Sequence, residues 1–286
     1  ALLYIPDNAK DFFGAGREFW GLDLYARRVL IQHDNKELIP EYLAFLKGVV
    51  DTEDLPLNIS RETLQENVVL RKMNQVITKQ TFGHLEKMAK EDVEKYNRFW
   101  KLHGNILKLG YSDYANNERI ATLLRFNSSA LDDADALTSL DAYKERAPED
   151  QKVIWFVTAP NREAARLNPH MEMFRKKGIE VLYLYEPVDE FVIEGLRKYK
   201  DWEFKSVESA SADDLNKFED KEKQEEKAAP LSDEDNASLE GLLKKMKEIL
   251  GDKVKEVRIS HRLADSPAVL VSADGGMTSS MEKILK

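Results

Sequence analysis

The sequence predicts an α/β protein built from more than one compact unit. Two kinds of segment alternate along the chain. One kind is short and rich in branched or apolar residues, as at 22–31 and 152–158, which is typical of β-strands. The other has apolar residues spaced three and four apart, as at 64–88, which is typical of helices. A length of 286 residues allows two or three such units.

In the first half of the chain, each predicted element follows from local chemistry. Pro6 ends a first strand, and Pro40 lies in the first turn of a short helix. Three long helical patterns follow, beginning at Arg61. The predicted elements are strands at 1–5 and 22–31, and helices at 37–47, from 61, from about 91, and from about 116 to 126.

The second half predicts a parallel pair of strands. A nearly all-apolar strand is followed by a helix that stops at Gly178 and by a second apolar strand, which is the pattern of a βαβ crossover. A helix ending at Gly251 opens a last unit. The predicted elements are strands at 152–158, 179–185, 202–207, 254–260 and 268–273, and helices at 162–177, 189–199 and 233–250.

Composition excludes several classes of function. The chain is 42% hydrophobic and 33% charged, as expected for a globular protein, and it contains no cysteine. Disulfides, thiol nucleophiles and thiolate metal sites are therefore excluded, which fits the cytoplasm. The histidines are not paired at metal-ligand spacing, so we expect no metal site. No apolar run approaches the roughly 20 residues of a membrane span, and nothing resembles a signal peptide.

The net charge of −9 is unevenly distributed. Residues 209–235 carry ten acids and four bases, a net charge of −6, which leaves only −3 for the rest of the chain. We therefore expect an acidic linker there, and no basic face that would bind nucleic acid.

The stretch 54–65 carries the strongest sign of chemistry. It begins extended around Pro56, and then Asn58 or Ser60 can cap a helix. Arg61 falls in the first turn and Gln65 one turn later on the same face, beside free backbone N–H groups. This arrangement predicts a grip for an anion such as phosphate. The alternative is that Arg61 only forms a surface ion pair.

The same stretch carries a family resemblance. Residues 48–65 closely resemble, without gaps, the middle-domain signature of the heat-shock protein 90 chaperones. The match continues at 24–29, 38–43, 123–126, 181–184 and 188–191, and at 260–268 it is most similar to the bacterial branch. The resemblance covers essentially the whole chain.

The resemblance implies a domain layout. It implies a larger αβα unit at 1–90, a helical connector at 91–128, a smaller αβα unit at 129–208, an acidic linker at 209–231 and a partial C-terminal α/β domain at 232–286. The chain begins without Met and stops inside a helical pattern. We therefore expect an expression fragment, with a preceding ATP-binding domain and following helices that form a homodimer.

Family likeness also implies roles for the anion grip. The arginine matching Arg61 reaches the γ-phosphate of ATP held by the N-terminal domain, and the residues matching Gln65 and Asn58 belong to the same catalytic loop. Thr63 departs from the usual methionine. ATP and magnesium would be bound mainly outside this chain, so we expect it to be inactive as an ATPase alone.

Two apolar sites are candidates for binding unfolded or partly folded client proteins. Phe191 matches an aromatic on the client-facing surface of bacterial relatives, and a core position is the alternative. A second set lies at helical spacing, with burial against following helices as the alternative. Its members are Met277, Met281, Ile284 and Leu285.

Other functions remain as alternatives. The chain could be a passive platform for clients or co-chaperones with no role in hydrolysis. An unrelated small-molecule α/β enzyme is disfavoured, because no G-x-S-x-G elbow, Walker motif or Gly-rich phosphate loop occurs.

Overall fold

A computed structural model describes residues 1–7, 20–55, 68–211, 214–215, 218, 233–259 and 267–271. Within 233–259, side chains are described from residue 239 onward. Within these residues, the chain is a mixed α/β protein with two sheets. The α-helices are α1 (Val68–Glu91), α2 (Val93–Lys108), α3 (Asn117–Leu123), α4 (Leu140–Arg146), α5 (Arg162–Leu167), α6 (Glu172–Lys177), α7 (Pro187–Leu196) and α8 (Asp233–Leu250).

The first sheet has four strands in the order β1-β4-β2-β3. Its strands are β1 (Leu2–Tyr4), β2 (Leu22–Ala26), β3 (Val29–Asn35) and β4 (Lys47–Thr52). β4 pairs antiparallel with β1 and parallel with β2, and β3 pairs antiparallel with β2. The first strand of the chain is thus confirmed.

The single strand predicted at 22–31 is wrong, because the chain turns back within it. Arg27 and Arg28 have φ of 50° and 66°, the left-handed values of a tight hairpin turn. Backbone N–H groups of this turn donate to Thr52 O at 3.0 Å and to Asp51 Oδ1 at 3.1 Å. Such turns usually contain Asn or Gly, so two arginines gave no turn signal.

The helix predicted at 37–47 is also wrong. Two short 3₁₀ turns occur instead, Lys36–Leu38 and Glu41–Leu43, and β4 then begins at Lys47. Pro40 explains the break, because the residue before a proline is pushed to extended angles, and Ile39 has φ −145° and ψ 150°.

The second sheet has five strands in the order β5-β7-β6-β9-β8. Its strands are β5 (Asn127–Ser128), β6 (Val153–Thr158), β7 (Leu182–Leu184), β8 (Lys198–Tyr199) and β9 (Trp202–Ser206). Central β6 is parallel to both β7 and β9, which confirms the predicted parallel pair. The edge strands β5 and β8 are antiparallel to their neighbours.

The helical segment between β6 and β7 is interrupted. The predicted helix 162–177 is instead α5, a 3₁₀ turn at Pro169–Met171, and α6. Asn168 before the proline has an extended ψ of 125°, and its side chain caps the new turn. Gly178 ends α6 in a left-handed conformation with φ 62°, as predicted.

Both sheets contribute to one apolar core. Ile154 and Phe156 face the cluster that also contains the buried side chains of α1 and α2. Trp155 and Val157 face a second cluster under α5 and α6. Period-two alternation along β6 therefore places each helical layer on its own side of the sheet.

The last described part is less regular than predicted. α8 and the turn at Gly251 agree with the sequence. The strands predicted at 254–260 and 268–273 are irregular over 254–259 and 268–271. Among the described residues, no neighbouring strand pairs with them.

Candidate functional site

The predicted anion grip lies outside the described residues, since Asn58, Arg61 and Gln65 all fall within 56–67. The described residues that immediately precede it are well anchored. Leu55 is 1% exposed in the main core, and the Asp54 N–H donates to Thr52 Oγ1 at 3.2 Å. The chain is therefore held in the first sheet and the core up to Leu55, the last described residue before the grip.

Phe191, which the sequence predicts to bind clients, lies on α7. This helix begins at Pro187, and the Asp189 carboxylate accepts from the Glu186 N–H at 3.1 Å, as in a capping box. Val192 and Ile193 are buried in the main core. Phe191 itself is partly exposed, so it lies at the margin of that core and not inside it.

The ring of Phe191 contacts a second aromatic from another element. Tyr111 belongs to the 3₁₀ turn Leu109–Ser112 that continues α2, and the two ring centroids are 6.5 Å apart at 33°. Gly195, one turn beyond Phe191, allows this approach. A Cβ on Gly195 would lie 2.9 Å from Tyr111 Cδ2. We call Tyr111 and Phe191 the aromatic pair.

A buried ion pair lies beside the aromatic pair. Lys108 Nζ, at the end of α2, is 2.6 Å from Asp189 Oδ1, and the two side chains are only 7% and 4% exposed. Lys108 also donates to Asn105 Oδ1 at 3.3 Å and lies 5.7 Å from the Trp100 ring centroid. The ion pair joins α2 to the first turn of α7.

Tyr111 and Lys108 are not among the site residues that the sequence predicts. A signal for Lys108 does exist, because Trp100, Gly104 and Lys108 repeat every four residues on one buried face of α2. A lysine on the apolar stripe of a helix implies a buried acid opposite it. No pattern in the sequence indicates that Tyr111 meets α7.

The second predicted client set also lies outside the described residues, because Met277, Met281, Ile284 and Leu285 fall within 272–286. The nearest described segment, 267–271, lies against the carboxyl end of β6. His170 Nε2 is 2.9 Å from Leu270 O there. Thr158, His170, Glu208 and Leu270 help to line an open cleft of about 450 Å³.

This cleft occupies the edge where ligands of parallel sheets usually bind. Its described lining is largely apolar or uncharged and contains no Lys or Arg, so it does not resemble a phosphate site.

The described residues contain neither a cluster of metal ligands nor a membrane-spanning helix. Within them, no three His, Asp or Glu side chains are grouped closely enough to bind a metal ion. No helix in that part of the chain is both long and apolar enough to cross a bilayer.

Comparison with known proteins gives matches over the full chain. A family model described as Hsp90 protein matches residues 1–286. Chaperone protein HtpG of Nitratidesulfovibrio vulgaris is 58% identical over 285 residues, which are 100% of this chain and 45% of that protein. The HtpG proteins of Oleidesulfovibrio alaskensis and Shewanella amazonensis are 58% and 44% identical, and this chain spans 45% and 44% of their lengths.

The chain therefore spans less than half the length of these curated relatives. The family model nevertheless covers every residue of the chain, and the resemblance noted in residues 48–65 belongs to the same match. This chain is a member of the Hsp90 family.

Proposed function

We propose that this chain is a central segment of a bacterial-type, ATP-driven chaperone, and that it binds unfolded or partly folded client proteins. One observation carries the proposal: the match to proteins titled chaperone protein HtpG extends over the whole chain at up to 58% identity. In the intact protein, the segment would act in the cytoplasm as part of a homodimer.

The client surface that we propose is centred on the aromatic pair. Phe191 is partly exposed on a helix whose neighbours Val192 and Ile193 are fixed in the core. A partly exposed ring held on a rigid element offers apolar contact at low entropic cost. A second, separate client site in the same chain would consist of Met277, Met281, Ile284 and Leu285.

The direct test is client affinity after Phe191→Ala. We expect the Kd for a labelled, permanently unfolded polypeptide to rise about five- to ten-fold, roughly 1–1.4 kcal/mol, by fluorescence anisotropy. Tyr114→Ala is the matched control, because Tyr114 is 83% exposed near the same turn and has no described ring contact with α7. Equal affinity of the Phe191→Ala variant and the parent would exclude Phe191 from the client surface.

The proposed part in hydrolysis rests on Arg61. In the intact protein, ATP and magnesium would be bound mainly by a preceding domain, and Arg61 would approach the γ-phosphate as charge develops there. Gln65 and Asn58 would support the same loop. The alternative, a platform with no part in hydrolysis, predicts that loss of Arg61 leaves turnover unchanged.

A further inference from the structure

We propose that the buried Lys108–Asp189 ion pair is a positioning device, which fixes α7 and therefore Phe191 in one register against α2. Lys108 is then a positioning residue for the client surface and does not contact the client itself. The inference rests on the proposed client-binding role of Phe191. Its own claim, that the pair sets the position of α7, can be tested separately.

The burial of the pair argues against a purely stabilising role. Taking two charges out of water is expensive, and a buried ion pair often contributes no more stability than apolar residues of the same volume. The Lys108 and Asp189 side chains are 7% and 4% exposed, so nearly all of their hydration is lost. Such a pair is better suited to selecting one geometry than to adding stability.

The contacts divide between the two helices in a way that fits this role. On the α2 side, Lys108 is held by Asn105 Oδ1 at 3.3 Å and by the Trp100 ring. On the α7 side, Asp189 Oδ2 accepts from the Glu186 N–H at 3.1 Å, while Oδ1 faces Lys108 at 2.6 Å. Each partner is therefore held by contacts within its own helix that do not depend on the ion pair.

The apolar contacts of α7 would not fix the register alone. Val192 and Ile193 pack into the core without directional bonds, so they oppose a small slide of α7 by shape alone. The same slide would separate Lys108 from Asp189 and leave two buried charges unpaired. Because Phe191 is two residues from Asp189, any displacement of Asp189 also moves the aromatic ring.

The test replaces both charges together. Lys108→Met/Asp189→Asn keeps similar volumes and leaves an amide oxygen for the Glu186 N–H. The control, Lys200→Met/Asp141→Asn, removes a pair with the same Nζ–Oδ1 distance of 2.6 Å but with side chains that are 55% and 47% exposed. For each variant, the urea unfolding midpoint, amide hydrogen exchange along α7, and client Kd would be measured.

For the buried pair we expect an unfolding midpoint close to that of the parent. We also expect amide exchange in α7 to become at least ten-fold faster and client Kd to rise at least five-fold. The control should change neither α7 exchange nor affinity. A second variant, Lys108→Gln/Asp189→Asn, places two uncharged amides at the same positions and should return both quantities toward the parent values.

Unchanged α7 exchange in Lys108→Met/Asp189→Asn would overturn the inference, as would exchange that accelerates equally in every element. The Phe191→Ala variant separates the two proposals. If that variant binds clients normally, the proposed client role of Phe191 fails, and α7 exchange alone decides whether the ion pair positions the helix.

Discussion

The buried carboxylate of Glu180 has a charged partner, the guanidinium of Arg146. Glu180 is 7% exposed, and Arg146 donates to its two carboxylate oxygens at 2.9 and 2.7 Å. Ser128 Oγ also donates to this carboxylate. The network joins β5, α4 and the turn before β7, so its loss should destabilise the second sheet.

We expect Arg146→Met to lower the free energy of unfolding by roughly 2–4 kcal/mol, because it leaves a buried carboxylate with only Ser128. The lower part of this range applies because Arg146 is itself 38% exposed and partly screened by water. Urea denaturation measures the change. Lys87→Met is the control, since Lys87 and Glu91 are 69% and 63% exposed; it should cost no more than about 0.5 kcal/mol. Equal costs would show that burial of Glu180 is unimportant.

His103 predicts a pH dependence. Burial lowers the pKa of its imidazole, and the contact of Nε2 with Pro6 O at 3.0 Å opposes that shift only in part. The unfolded chain therefore takes up a proton first, near the ordinary pKa of about 6.5. The stability contributed by neutral His103 is present above that pH and is lost as the pH falls toward the depressed folded-state pKa.

The variant His103→Gln cannot titrate, so it isolates this contribution. The difference in unfolding free energy between the parent and His103→Gln should shrink as the pH is lowered from about 7.5 to 5.5. Chemical denaturation at a series of pH values measures it. A difference that stays constant or grows at low pH would contradict the assignment.

At the level of elements, two helical glycines with opposite surroundings make a matched pair. A Cβ on Gly195 of α7 would lie 2.9 Å from Tyr111 Cδ2 and 3.2 Å from Tyr111 O, whereas one on Gly83 of α1 would have nothing within 4 Å. Alanine is favoured over glycine in helices by about 1 kcal/mol. Whether a Gly→Ala substitution stabilises or destabilises the chain therefore depends on the room available for the added methyl group.

We therefore expect Gly195→Ala to destabilise the chain by roughly 0.5–2 kcal/mol, through crowding partly offset by helix propensity. Gly83→Ala should stabilise it by about 0.5–1 kcal/mol. Thermal or urea unfolding measures both. If the two variants shifted stability in the same direction, the close approach of α7 to Tyr111 would be wrong.

The elements that the sequence predicted well are those defined by a repeating apolar pattern or by a strong stop. α2, α8, β6 and the end of α6 at Gly178 are examples. The failures have local causes. A hairpin turn built from Arg27 and Arg28 carries no turn signal, and the short apolar segments around Pro40 fit helix and strand equally well.

Across the whole molecule, the family and the α/β class could be inferred from sequence, but the contacts between elements could not. Phe191 was a candidate from the family resemblance alone. Its partner Tyr111 and the Lys108–Asp189 pair depend on how α7 meets the end of α2. Such contacts join residues far apart in the chain, and periodicity along one element does not contain them.

We propose that Arg61 serves the nucleotide held by another domain. In the full-length protein, we expect Arg61→Ala to bind ATP with nearly the parent affinity while its turnover falls at least ten-fold, about 1.4 kcal/mol on the barrier. The exposed Lys72 of α1 provides the control, since Lys72→Ala should leave both quantities unchanged. Parent-level turnover in Arg61→Ala, with ATP saturating, would contradict the claim and favour a passive platform.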